Sequence, residues 1–166
     1  MQSKANPARP KPRLYTEEQR KLRDGTHWTL VQGILAPLQF VVFIASLVLI
    51  LRYLATGDGL ELAHASIVAK TLALYAIMIT GSIWEKVVFG KYLFADAFFW
   101  EDVFSMLVLA LHTAYLLCLW TGWLSPAELM VLALAAYATY VVNAGQFLVK
   151  LRAARLEAPI AKGVAP

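Results

Sequence analysis

The chain has one cysteine, no internal repeat, no low-complexity block and no acidic residue in the middle of any of its long apolar runs. Cys118 has no second thiol to pair with, so no intrachain disulfide holds the fold, and the lone thiol indicates no redox role. The missing mid-run acids count against a proton-coupled exporter, which exchanges protons for cations on a carboxylate deep inside a helix. A haem carrier needs axial ligands on facing helices, and only His112 falls well inside an apolar run, which makes that reading weak. Lys and Arg are absent from residues 55–66 and from 121–128. The formal net charge of +4 is therefore concentrated in a few flanking segments, a distribution that sorts membrane topology and gives no reason to expect nucleic acid as a partner.

Apolar residues make up 60% of the 166 residues, and the mean hydropathy is +0.60. Four runs account for the excess: Leu30–Leu54, Ile67–Phe89, Val103–Trp120 and Leu129–Val149, each 18 to 25 residues long. At 1.5 Å per residue each is long enough to cross about 30 Å of hydrocarbon. The expected fold is all-α, an integral membrane four-helix bundle. Its expected parts are a basic N-terminal segment over 1–28, a four-helix domain over 29–150 and a C-terminal tail over 151–166. The first run is too long for a signal-peptide core, follows nearly thirty mostly polar residues and ends at Arg52-Tyr53-Leu54 without a small-residue cleavage pattern.

Seven Lys and Arg precede residue 29, Lys86 and Lys91 lie in the middle connection, and Lys150, Arg152, Arg155 and Lys162 follow the last run. By the positive-inside rule both termini and the middle connection face the cytoplasm, which for a bacterial protein means the inner membrane. The tip through Arg13 is Pro-rich and has too little apolar surface to fold alone. Thr16 followed by Glu17, Glu18 and Gln19 reads as a capped start of a short surface helix running to Arg23.

The middle connection, WEKVVFGKYLFADAFFWED from Trp84 to Asp102, is the most unusual stretch. It holds seven of the twenty aromatics (Trp84, Phe89, Tyr92, Phe94, Phe98, Phe99, Trp100) and the acids Glu85, Asp96, Glu101 and Asp102. A plain membrane loop needs a turn and some solubility. Rings edged by carboxylates suit chemistry on a large flat apolar molecule, because a partly desolvated carboxyl can hold a proton near neutral pH.

Helical spacing then sorts the polar residues by face. Gln32, Ala36 and Gln39 share one face; Thr71, Tyr75, Met78, Ser82 and Glu85 another; Glu101, Ser105, Val108, His112 and Tyr115 a third, with Asp102 at its edge; and Ala136, Thr139, Asn143 and Gln146 a fourth. All four bring hydrogen-bonding groups to the cytoplasmic half and leave the other half mainly aliphatic. Plainer roles exist for each: interhelical glue for the amides, boundary charges for the acids, an interfacial belt for the rings. Lys70 and Arg52 read as structural side chains able to snorkel to the interface. Glu101 and His112 are eleven residues apart, about 16 Å along a helix, so they do not act on one carbon.

Three strings carry a family resemblance. WTLVQGILAPLQF from Trp28 to Phe40, the Trp84–Asp102 block and AAYATYVVNAGQFLVKLR from Ala135 to Arg152 are similar to the 3-vinyl bacteriochlorophyllide hydratases. The similarity covers roughly Leu14 to Leu156. It implies an integral membrane lyase of bacteriochlorophyll biosynthesis, adding water to the 3-vinyl group of chlorophyllide a to give the 3-(1-hydroxyethyl) product. It would work on a chlorophyllide-type tetrapyrrole in the lipid bilayer, with other enzymes of the pathway or a second copy of the chain as further partners.

The chemistry itself suggests roles. Markovnikov hydration needs a proton delivered to the terminal vinyl carbon, a cation conjugated into the macrocycle, and water attacking the inner carbon. This requires no redox cofactor and no metal beyond the substrate's own magnesium. Glu85 or Glu101 is expected as the acid and Asp102 as the group that orients or deprotonates water. Gln39, Asn143 and Gln146 are expected to hold water or the macrocycle's keto oxygen. Trp84 and Trp100 would stack on the ring, and Lys86 or Lys91 would pair with its propionate. His112 or His27 would be an axial ligand to the substrate magnesium. The main rival from another class is a pigment-binding chaperone or assembly factor, which keeps the aromatic surface and forms no product.

Overall fold

The computed structural model describes residues 14–156; the Pro-rich tip and the segment after Leu156 lie outside the described residues. Among the described residues there are five helices and no strand: α1 (Glu17–Gly25), α2 (His27–Thr56), α3 (Leu60–Phe89), α4 (Phe99–Thr121) and α5 (Pro126–Leu156). The short helix α1 starts where the sequence places its cap. The Thr16 side chain accepts from Gln19 N–H, and the Gln19 side chain accepts from Thr16 N–H, closing a capping box.

Helices α2 to α5 are each long and apolar enough to cross a membrane. They outrun the apolar stretches that announce them, because caps and not hydropathy end a helix. Gly57, Gly90 and Gly122 adopt left-handed backbone angles that close α2, α3 and α4. α5 runs seven residues past Val149, and the start of α3 shifts by as much. That helix begins at Leu60, so the segment from Leu60 to Ser66, expected as loop, adds nearly two turns. His64 therefore sits inside a helix as well, and Lys70 is the eleventh residue of α3, not the fourth of a span beginning at Ile67.

α2 packs chiefly along α3, and α4 along α5; α3 also meets α4, α2 meets α5, and α1 lies on α3. The main buried cluster runs between the long helices and includes Phe43, Ile50, Ile67, Val108, Tyr115, Met130 and Tyr137. A second cluster sits beside α1, where Tyr15, Val88, Phe98 and Ala154 are buried together with Trp84, Phe89 and Phe147 around them.

The buried face of α4 is Glu101, Asp102, Ser105, Val108, His112 and Tyr115, the face that helical spacing predicts. On α5 the buried face instead carries Tyr137 and Tyr140 as well as Ala136 and Asn143. The expectation that the half away from Glu85 is mainly aliphatic is corrected. Ser46 and Ser66 share a hydrogen bond of 2.7 Å, the Tyr137 hydroxyl donates to Ser46 Oγ at 2.7 Å, and His64 Nδ1 lies 2.6 Å from the Tyr115 hydroxyl. Lys70 does not snorkel: it is fully buried. Starting α3 seven residues earlier moves Lys70 about 10 Å deeper, beyond the reach of its own side chain to the helix end.

Tyr137→Phe tests the interior hydroxyl chain. Ser46 keeps its bond to Ser66 in that variant, so the cost is limited to roughly 0.5–1.5 kcal/mol, read as a lower thermal midpoint in detergent with unchanged helical content.

Candidate active site

The connection from Gly90 to Phe98 folds back over the ends of α3 and α4. Phe94 takes a positive φ of 59°, uncommon for a residue with a large side chain, and this turns its backbone N–H inward. It donates to Asp102 Oδ2 at 2.7 Å, and the next N–H, of Ala95, donates to Glu85 Oε2 at 3.4 Å. Two consecutive amides thus hold carboxylates from two different helices. Glu85 and Asp102 are both buried, and the two adjacent amides bring their carboxyls side by side. Two carboxyl oxygens face each other favourably only when a proton lies between them.

Glu101 points elsewhere. It is buried and its Oε2 lies 2.5 Å from Lys150 Nζ, an ion pair that ties α4 to α5. Helical spacing puts Glu85, Glu101 and Asp102 at one depth; the structure brings Glu85 to Asp102 and gives Glu101 a cation of its own. Asp96 is almost fully exposed and paired with Lys91.

The aromatics divide into two sets. Trp84, Phe89 and Phe98 form a packed cluster with Tyr15 and Phe147, with ring centroids 5.7–5.8 Å apart at the Tyr15–Phe89, Trp84–Phe98 and Phe98–Phe147 contacts. Burial raises the Tyr15 phenol above its ordinary pKa, and the Arg23 guanidinium 4.8 Å over its ring offsets part of this. Trp84 also donates its indole N–H to Thr29 Oγ1 at 2.9 Å, joining α3 to α2. Phe94, Phe99 and Trp100 form a chain of contacts on the outside, and Trp100 is 66% exposed.

The remaining sequence candidates are spread out. Lys86 is exposed and donates to the Gly90 carbonyl at 2.9 Å, closing the end of α3. His27 is exposed at the first residue of α2, whereas His112 is fully buried midway along α4. Asn143 donates to Ser105 Oγ at 2.8 Å. Asn143 Oδ1, Gln39 Nε2 and Gln146 Oε1 are buried without a hydrogen-bond partner among the described residues. Gln39 and Asn143 are buried as whole residues, while Gln146 is half-buried.

Two hollows flank this end of the molecule. One, of about 480 Å³, is lined by Phe89, Lys91, Ala95 and Lys150 among others. The other, an open groove of about 560 Å³, is lined by Glu101, Gly145, Gln146 and Lys150 among others. The Ala95 wall of the first places its floor one peptide from Glu85. The sequence reasoning missed Lys150 as a site residue; its spacing of seven from Asn143, two turns along one face, was the available signal.

Lys150→Met leaves Glu101 buried without its cation and is expected to cost roughly 1–3 kcal/mol. The double variant with Glu101→Gln should recover most of that, as measured by thermal unfolding of the purified protein.

The model of the 2-vinyl bacteriochlorophyllide hydratase family matches residues 15–153. A 2-vinyl bacteriochlorophyllide hydratase of Cereibacter sphaeroides is 70% identical over 153 residues, covering 92% of this chain and 94% of that protein. One of Rhodobacter capsulatus is 66% identical over 157 residues, covering 94% and 90%. No solved structure matches the chain. The names 2-vinyl and 3-vinyl differ in wording only, so the resemblance read from the three sequence strings and these matches agree. The chain belongs to the 2-vinyl bacteriochlorophyllide hydratase family.

Proposed function

We propose that this chain is a hydro-lyase that adds water across the vinyl group of chlorophyllide a or a bacteriochlorophyllide, working as a four-helix bundle in the bacterial inner membrane. The family membership supports the activity. The observation that carries the mechanism is that the consecutive Phe94 and Ala95 amides hold Asp102 and Glu85 beside each other.

In this reading the pair holds one proton. The short N–H bond to Asp102 favours its negative charge, which leaves the proton on Glu85. Glu85 gives that proton to the terminal vinyl carbon, and the positive charge left on the inner carbon is spread into the macrocycle. Water then forms its C–O bond to the inner carbon while Asp102 takes the released proton. The pair again holds one proton, now on Asp102, and passing it to Glu85 restores the starting state. Net addition is one water, with no external acid or oxidant.

The hollow beside Ala95 is the proposed approach for the pigment. Phe89 gives its wall an aromatic face, and Lys91 and Lys150 give it positive charge for the propionate. Phe94, Phe99 and Trp100 offer further ring surface outside. Because Glu85 and Asp102 are covered, the Gly90–Phe98 connection has to lift for the vinyl group to reach them. Glu101 keeps Lys150 in place. The substrate brings its own magnesium, and no further cofactor is invoked; other enzymes of the same biosynthesis and a second copy of this chain remain proposed partners. The Lys and Arg counts support placing both termini and this site on the cytoplasmic side.

Glu85→Gln and Asp102→Asn should each lower hydration by about 10²-fold or more, the usual worth of a positioned acid or base, with pigment binding retained. Glu101→Gln should lower it far less. Membranes incubated with chlorophyllide a and followed by absorbance measure both. A blue-shifted hydroxyethyl product supports the hydratase, whereas binding without a product supports the chaperone.

A further inference from the structure

Lys70 on α3 and His112 on α4 take no part in that mechanism, and both are fully buried. His112 Nδ1 lies 2.8 Å from the Val108 carbonyl oxygen. A carbonyl only accepts, so Nδ1 carries the hydrogen, and the neutral ring is left with a bare lone pair on Nε2. Neither His112 Nε2 nor Lys70 Nζ has a hydrogen-bond partner among the described residues.

Their surroundings are aromatic. Tyr137 stacks on the imidazole with centroids 5.8 Å apart, and Lys70 Nζ sits 3.6 Å over the Tyr140 ring. Phe43 touches both tyrosine rings, at 5.2 and 5.1 Å. The imidazole and the lysine head therefore flank one aromatic cluster built on Phe43, Tyr137 and Tyr140. An aromatic face attracts the lysine head but accepts few of its hydrogens, and bulk water is out of reach at this depth.

The two groups have opposite needs. Lys70 offers hydrogens, and His112 offers a lone pair. A carboxylate would serve the lysine and repel the imidazole lone pair; a metal cation would do the reverse. A hydroxyl oxygen accepts from Lys70 and donates its own hydrogen to His112, satisfying both at once.

We propose that Lys70 and His112 form a hydroxyl-binding site between α3 and α4, occupied by the O–H of an ordered water or of an alcohol on a bound pigment. Water is the ordinary occupant of a buried polar site of this kind. The alcohol arm rests on the hydratase reading, whose product carries a new hydroxyethyl group.

The test uses the full chain in lipid nanodiscs with ¹⁵N-labelled histidine, the His112 signals being assigned by their loss in His112→Gln. The expected spectrum shows Nδ1 protonated and Nε2 unprotonated and hydrogen-bonded, with Lys70→Met shifting the Nε2 resonance. An Nε2 that carries the proton, or one that Lys70→Met leaves unmoved, overturns the proposal. Titration with vinyl and hydroxyethyl pigments then separates the sources. If the site holds the pigment alcohol, Lys70→Met weakens only the hydroxyethyl pigment, by about tenfold. If it holds water, the two affinities keep their ratio while the Nε2 shift remains. Absence of hydration by the unaltered chain with these spectra intact would count against the hydratase reading alone.

Discussion

Hydrocarbon offers no hydrogen bonds, so each polar side chain on the four long helices is answered by another helix, by its own backbone or by nothing. The structure follows from how those answers are distributed. Serine and threonine mostly return to their own helix, as Thr71 does to Ile67 and Thr113 to Leu109. Cross-helix bonds pin the register: Gln32 to Thr80 and Trp84 to Thr29 between α2 and α3, Tyr75 to Thr113 between α3 and α4, Asn143 to Ser105 between α4 and α5. With register set this way, Glu85 and Asp102 arrive at the same level from opposite helices. Their meeting is a consequence of bonds made elsewhere along the same helices.

Much of this was readable in the sequence. Four apolar runs, the Thr16 cap and the six buried positions of α4 follow from length, capping chemistry and a period of 3.6. The errors in helix boundaries have one physical source. Hydropathy marks where a helix is apolar, whereas its ends are set by residues such as Gly59 and Gly57 that suit turns. Starting α3 at Ile67 left His64 in a loop and Lys70 at an interface; starting it at Leu60 buries both the depth and the meaning of Lys70. The aromatic stretch was misjudged for a different reason. Trp84, Phe89 and Phe98 look equivalent to Phe94, Phe99 and Trp100 by composition, but only the partners supplied by Tyr15 and Phe147, far away in the chain, determine which rings become core.

The carboxylates show the same limit. Spacing along α4 makes Glu101 and Asp102 nearly interchangeable, adjacent in sequence and level with Glu85. What separates them is about 100° of helix rotation. It turns Glu101 toward α5 and Asp102 toward α3. No reading of α4 alone could say that α5 would present Lys150 on one side while α3 presents another acid on the other.

That separation bears directly on the chemistry. A proton shared by two carboxyls persists only while no cation sits close enough to neutralise them instead. Lys150 is a cation within reach of this end of α4, and Glu101 binds it. The Glu101–Lys150 pair therefore does more than join two helices: it keeps the positive charge on the α5 side of Asp102. The backbone amides of Phe94 and Ala95 meet the negative charge without supplying a cation, and Phe94 holds its uncommon φ of 59° to do so. Neutral donors on one face and a cation engaged by a neighbouring acid leave Glu85 and Asp102 side by side without a salt-bridge partner among the described residues, which is the condition the proposed proton delivery to a vinyl carbon requires.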